Sequence, residues 1–324
     1  MRGSRCHAVM RVTSCLGLLV GLLLGLLVGA TPQATAAAPS YVALGDSYSS
    51  GTGTRTYIID GTTCQRSVYA YPSLIAAATG YSLNFRACSG ATIRDVRNVQ
   101  LEALSAGTAY ATISVGGNDA GFASVLTACA QPWWAADCNG AIDRAQAYIT
   151  GTLPGALSSL YAAIRARATR AHVVVVGYPR IFDGTDCNAL TWFSSSEMTR
   201  LNATADLLNA TISQAAGAAG FGFANPTRRF VGHAVCDDPE WINGLSNPLW
   251  ESFHPNRSGH RDGYLPRVSR RLAGIAVTGS VRVLRAAAAS AEQLAAQQRQ
   301  YAERDRVIEP ELVSPPTARP PRVR

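Results

Sequence analysis

The sequence predicts an α/β protein built on an open, doubly wound parallel sheet flanked by helices. Three observations lead there. Short apolar runs that end in turn residues recur along the chain: "SYVALGD" at 40–46, "YATISVGGND" at 110–119, "AHVVVVGYP" at 171–179 and a weaker "FGFANP" at 221–226. Stretches of helical periodicity lie between them, and alternation of strands with helices indicates a parallel sheet covered on both faces. Residues suited to chemistry, Ser47, Asn118 and the loop after "VVVVGYP", fall just past strand ends, where open α/β sheets form their active crevice.

The segments follow in order. Arg2, Arg5 and Arg11 precede an apolar run from Leu16 to Gly29, and small residues with an A-x-A-like pattern near 34–38 come next. This is the layout of a secretory signal, so residues 1–37 are expected to be removed and the mature protein to be extracellular. The run is shorter than a membrane span requires. Residues 38–280 form the α/β domain. Within it, "SSSEMTRLNATADLLNATISQAAGAAG" predicts a helix: Ser residues with Glu197 form its cap, and Met198, Leu201, Ala205, Leu208 and Ile212 form its apolar face. Residues 281–309, rich in Ala, Gln and Arg, read as a helical extension, and 310–324, rich in Pro and Arg, as a flexible tail.

Of eight cysteines, Cys6 and Cys15 fall in the leader and six remain: Cys64, Cys88, Cys129, Cys138, Cys187 and Cys236. An even set without a C-x-x-C pair points to three disulfides in an oxidising compartment rather than to zinc, and leaves the pairing open. The net charge of +8 rests entirely on Arg, several of them near the termini, and no basic stripe is interleaved with aromatics. Nucleic acid is therefore not an expected partner, whereas peripheral attraction to anionic lipid or cell wall fits the charge.

A serine hydroxyl needs a base within hydrogen-bond reach and donors for the developing oxyanion before it acts as a nucleophile at neutral pH. Ser47 follows a strand and precedes small residues. Gly90 in "RACSGATI" and the Gly116-Gly117-Asn118 turn offer backbone and amide donors, and His254 in "ESFHPN" offers a base. Each piece alone is an ordinary turn; their order and spacing together carry the signal.

"ALGDSYSSG", "CSGAT", "ISVGGNDAGF" and "SFHPNRSGH" resemble blocks I, II, III and V of the SGNH (GDSL) hydrolases, and the cysteine pattern is similar to the secreted actinobacterial lipase and esterase branch. The resemblance implies a three-layer, flavodoxin-like sandwich. It also implies Ser47 as nucleophile, His254 as general base, and an oxyanion hole of the Ser47 and Gly90 N–H groups with the Asn118 amide. Sequential disulfides, Cys64 with Cys88, Cys129 with Cys138 and Cys187 with Cys236, are implied as well. The chain departs from the family's D-x-x-H, with Glu251 in the Asp position. Either the Glu251 carboxylate or the backbone carbonyl of Ser252 then orients His254. Asp46 and Asp119 are expected to fix loops by hydrogen bonds.

The function read from these residues is a monomeric, secreted serine carboxylester hydrolase that needs no metal or cofactor. It is expected to act on a lipid-like fatty-acyl ester through an acyl-serine intermediate. Phospholipid acyl esters and polysaccharide acetyl groups are rival substrates. A non-enzymatic rival is a surface-binding protein with a vestigial hydrolase domain.

Overall fold

The structure, a computed structural model, describes residues 37–314. The expected leader, apart from its last residue, and residues 315–324 of the tail lie outside the described residues. Five strands form one parallel sheet: β1 (Ser40–Gly45), β2 (Ser82–Phe85), β3 (Tyr110–Ser114), β4 (His172–Val176) and β5 (Gly222–Ala224). Their order is β2-β1-β3-β4-β5. Four of them are the apolar runs of the sequence, and Val42–Leu44 and Val173–Val176 are buried, as strands covered on both faces must be. The fifth, β2, carries no such signal in "SLNF". It becomes a strand by pairing, Leu83 beside Tyr41 and Phe85 beside Ala43.

The helices that bear on the site are α1 (Ser47–Ser50), α2 (Tyr71–Thr79), α3 (Phe122–Ala130), α4 (Cys138–Gly151), α5 (Leu153–Arg167), α6 (Ser195–Ala218) and α7 (Leu265–Ala273). Helix α6 starts as its sequence predicts. The Ser194 hydroxyl accepts from Glu197 N–H at 3.3 Å while the Glu197 carboxylate accepts from Ser194 N–H at 2.8 Å, a reciprocal cap. Met198, Leu201, Leu208 and Ile212 are buried on its inner face, whereas Ala205 is only partly covered.

With β1 flanked by β2 and β3, the winding direction reverses between β1 and β3, and the carboxyl ends of these two strands open a crevice. The end of β1 is pinned there. Gly45 has φ +118°, and a Cβ at this position would collide with the Ser114 carbonyl at the end of β3. The buried Gln100 amide accepts from Gly45 N–H at 2.7 Å and donates to Gly45 O at 2.9 Å, and Asp46 N–H donates to Ser114 O at 2.9 Å. The chain therefore crosses the end of β3 closely and starts α1 at Ser47.

Three disulfides are present, Cys64–Cys88, Cys129–Cys138 and Cys187–Cys236. The first anchors the loop that carries Gly90, the second closes the connection between α3 and α4, and the third ties the loop after β4 to the segment leading towards His254.

The extension, read from the sequence as helical, is broken into short pieces and packed on the domain. It forms three short helices, α8 (Val281–Ala289), α9 (Ala291–Arg299) and α10 (Ala302–Asp305), packed on α2 and on the edge strand β2. Val283, Ala287, Leu294 and Ala295 join the main core, so an otherwise open sheet edge is covered. At its end Asp305, fully buried, accepts from Arg66 at 2.5 Å and from both terminal nitrogens of Arg86 at 2.8 and 2.9 Å; Arg66 also donates to Asp60 at 2.5 Å. Beyond it the chain continues as an ordered segment: Ile308 and Val313 are buried, which corrects the expectation of a flexible tail for 310–314.

Buried charges are tolerated only when matched, so removing Asp305 leaves two buried guanidinium groups with Asp60 as their remaining buried acid. Asp305→Ala is expected to lower unfolding free energy by about 3–5 kcal/mol in urea titration, whereas Glu303→Ala, which removes an exposed partner of Arg306, should change it by less than ~1 kcal/mol. Equal effects of the two substitutions would refute this account of the network.

Candidate active site

Ser47 begins α1 directly after β1. Asp46 precedes it as the cap: its carboxylate accepts from Tyr48 N–H at 3.0 Å and from the Tyr178 hydroxyl at 2.5 Å. Burial pushes the Asp46 carboxyl up to about 7, opposed by those two hydrogen bonds. Asp46 thus holds the β1–α1 turn against the end of β4, the loop-fixing role expected of it. Asp119 does the same for the neighbouring loop, both its oxygens accepting from Ile93 N–H at 3.1 Å.

His254, far away in sequence, reaches Ser47. Its Nε2 lies 2.8 Å from the Ser47 hydroxyl oxygen and its Nδ1 lies 2.9 Å from the Ser252 carbonyl oxygen. A carbonyl can only accept, so Nδ1 carries the proton and Nε2 is left as the acceptor for the serine hydroxyl. The segment that presents the ring is bent tightly. Phe253 has φ 60°, and its carbonyl accepts from the Tyr48 hydroxyl at 2.9 Å. Asn243 brackets the turn, its carbonyl accepting from Phe253 N–H at 3.0 Å and its N–H donating to His254 O at 2.9 Å.

Glu251 does not face the imidazole. Its carboxylate accepts from the Tyr57 hydroxyl at 2.5 Å and pairs with Arg55 Nε at 3.4 Å, while its carbonyl accepts from His254 N–H at 3.4 Å. Of the two sequence alternatives for orienting His254, the Ser252 carbonyl is the group in contact. The Glu251 carboxylate, itself buried, is engaged instead by Tyr57 and Arg55.

The donors converge on the same point. Gly90, at φ +84°, follows the anchored Cys88, and Asn118 follows the Gly116-Gly117 turn after β3. Ser47, Gly90, Asn118 and His254 line one small cavity together. Neither Ser47 N–H nor Gly90 N–H donates to another group among the described residues. Asn118 Nδ2 donates to Ala91 O at 3.0 Å, which holds the amide in place and leaves its second N–H over.

A second, apolar cavity opens from Ser47 and Asn118 between α3, α4 and α6, walled by Val125, Leu126, Ile149, Ile181, Leu201 and Leu208. Four contributors have no recognisable sequence signal: Tyr48 and Tyr178, whose hydroxyls lock the loops, Gln100, and the ordered segment after α10, whose Glu311 and Val313 line the small cavity. Tyr48 and Tyr178 fall within the "GDSYSSG" and "VVVVGYP" segments, but nothing local marks their hydroxyls as the groups that lock the loops. Among the described residues, one His/Cys/Asp/Glu grouping has metal-like spacing, Cys187, Cys236 and Glu240; its two sulfurs are joined in a disulfide.

Residues 43–261 match the GDSL-like lipase/acylhydrolase family. Lipase 1 of Streptomyces coelicolor is 45% identical over 234 residues, 71% of this chain and 86% of that protein. The crystal structure of an extracellular lipase from Streptomyces rimosus superposes with a TM-score of 0.68 at 41% identity, covering 72% of this chain and all of the other. Phospholipase A1 from Streptomyces albidoflavus gives 0.67 at 39% identity with the same coverage.

Burial holds the His254 imidazole down to about 4, partly countered by its bond to the Ser252 carbonyl. Since the folded value lies below the unfolded one of about 6.5, the unfolded chain binds the proton more readily. The associated stability is complete above that value and is lost as pH falls from there towards 4. Site-resolved NMR should find a neutral His254 ring throughout the range from pH 5 to 8. A midpoint at or above the unperturbed value would refute this.

Proposed function

Because the chain belongs to the GDSL-like lipase/acylhydrolase family and is a carboxylic ester hydrolase, we propose that it cleaves fatty-acyl esters through an acyl-serine intermediate on Ser47. The observation that carries this reading is the 2.8 Å contact between Ser47 Oγ and His254 Nε2 at the mouth of the apolar cavity. Ser47 Oγ attacks the ester carbonyl carbon as its proton passes to Nε2. The resulting imidazolium keeps its Nδ1–H on the Ser252 carbonyl, which fixes ring orientation without a carboxylate.

The tetrahedral oxyanion is received by Ser47 N–H, Gly90 N–H and the Asn118 amide, donors whose positions are set in advance by α1, the Cys64–Cys88 bridge and the bond to Ala91. Nε2–H then protonates the departing alcohol, the acyl-enzyme forms, and a water activated by the same nitrogen releases the acid. Asp46 and Asp119 stay outside the proton path and position the loops.

The apolar wall formed by α3, α4 and α6 supports an acyl chain of several carbons and argues against acetyl groups as the principal substrate. A phospholipid acyl ester is the second reading, favoured by the likeness to the phospholipase A1 of S. albidoflavus. Contact with a lipid surface is supported by exposed Trp133, Trp134, Leu190 and Trp192. The first two lie in the loop closed by Cys129–Cys138, and the backbone of Trp192 is tied to the end of α3 at Ala130. The protein acts as a secreted monomer: residues 1–37 serve as its leader, and three disulfides suit an oxidising compartment. No described helix is long and apolar enough to cross a membrane.

Ser47→Ala is expected to reduce ester turnover by about 10³ or more with an unchanged melting temperature, and a fluorophosphonate should label Ser47 in the parent protein. Label on another serine would overturn the assignment. Methyl esters from acetate to palmitate should give the highest kcat/KM at medium or long chains; activity confined to acetate would favour a deacetylase.

Glu251→Gln separates the two ways of orienting His254. Turnover within a few-fold of the parent is expected, because the Ser252 carbonyl is untouched. A loss of about 10² or more with an intact fold would instead make Glu251 the third member of a triad.

A further inference from the structure

The family match ends at residue 261, so the segment that follows α10 is additional to it. This segment runs across the crevice. Thr63 Oγ1 donates to Ile308 O at 3.4 Å, and Ile308 is buried against Cys64 and Cys88. Next, the Glu309 carbonyl and Pro310 sit directly over Gly90, so closely that a Cβ on Gly90 would collide with the Glu309 oxygen. Val313 is 3% exposed, and Ser314 N–H donates to Thr127 Oγ1 of α3 at 3.1 Å. The chain is thus held on both banks, at the Cys64–Cys88 bridge and at α3.

What lies beneath it is the space beside Ser47 and His254 that the apolar cavity does not occupy. With the acyl chain directed between α3, α4 and α6, the alcohol half of an ester must point into the small cavity lined by Gly90, Trp250, Ser252, His254, Glu311 and Val313. That cavity has a volume of about 10 Å³, room for one water. A deacylating water fits, and a glycerol-sized alcohol does not. The wall is also polar in an unusual way: Glu311 Oε2 is buried with no hydrogen-bond partner among the described residues. Burial pushes its carboxyl up, opposed by the Ala123 N–H.

We propose that Glu309–Val313 is a C-terminal strap that sets alcohol-side specificity: seated, it admits only esters of very small alcohols, and it must lift before a glyceryl ester can reach Ser47. Leu312, 48% exposed beside the buried Val313, gives the strap an apolar edge that a lipid surface can take up. The proposal rests on the reading of Ser47 as nucleophile.

The test compares methyl octanoate with monooctanoylglycerol, which share the acyl chain and differ in the alcohol. Three proteins are assayed in dilute solution: the full chain, a chain ending at Ile308, which retains Asp305 and its ion pairs, and Val313→Asp, which evicts the strap by a buried charge. The glyceryl-to-methyl ratio of kcat/KM is expected to rise about tenfold or more in both variants. A ratio unchanged in variants whose Ser47 still reacts with a small fluorophosphonate would overturn the strap. So would an equal rise for both esters, which would describe a general plug. Failure of the full chain to be labelled at Ser47 would overturn the nucleophile reading itself, and the strap with it.

Discussion

Gly45 and Ser114 bring the ends of two parallel strands into backbone contact, and the rest of the site depends on that approach. A side chain on Gly45 has no room against the Ser114 carbonyl, and at φ +118° an L-residue would be strained as well. Because the strands meet so closely, Asp46 can donate its N–H to β3, and Ser47 starts its helix above the switch point instead of beside it. Gln100 takes up the Gly45 N–H, for which no strand supplies an acceptor, and shares the Gly45 carbonyl with Cys88 N–H. A buried peptide group without such partners would be costly, so this amide is as much a part of the sheet as any strand residue.

From that point the machinery is held by side chains that take no part in bond making. Tyr178 reaches Asp46 from β4's loop, Tyr48 reaches the carbonyl of Phe253, and Asn243 brackets His254. These contacts fix a histidine 207 residues away from Ser47 at hydrogen-bond distance. A buried imidazole with its Nδ1–H on a carbonyl stays neutral at ordinary pH, which is the protonation state a base needs. The carbonyl solution removes the need for a buried carboxylate next to the ring, and Glu251 is free to join Tyr57 and Arg55.

The C-terminal extension links stability to access. Its helices cover the edge of the sheet, and Asp305 neutralises Arg66 and Arg86 inside the protein. The same anchor fixes where the following residues start, three positions before Ile308 meets the Cys64–Cys88 bridge. Anything that displaced the extension would therefore unsettle the loop of Gly90 too, because one bridge serves both.

Strand-forming runs, the capped helix at Ser194, the even cysteine set and the spacing of Ser47, Gly90, Asn118 and His254 were all determined locally, and they are legible because each is a short pattern with its own physical cause. β2 was not legible, since "SLNF" owes its strand to the neighbouring Tyr41–Ala43 backbone. Neither was the choice between Glu251 and Ser252, which depends on Tyr57 and Arg55 engaging the Glu251 carboxylate, nor the roles of Gln100, Tyr178 and Asp305, whose partners lie 55, 132 and more than 200 residues away. The sequence by itself determined the layers of the fold and singled out Ser47, Gly90, Asn118 and His254 as candidates for the site. Only the tertiary structure decided which acceptor holds the histidine and that the chain's end lies across the crevice, because hydrogen bonds and packing over such separations depend on where the backbone has already been placed.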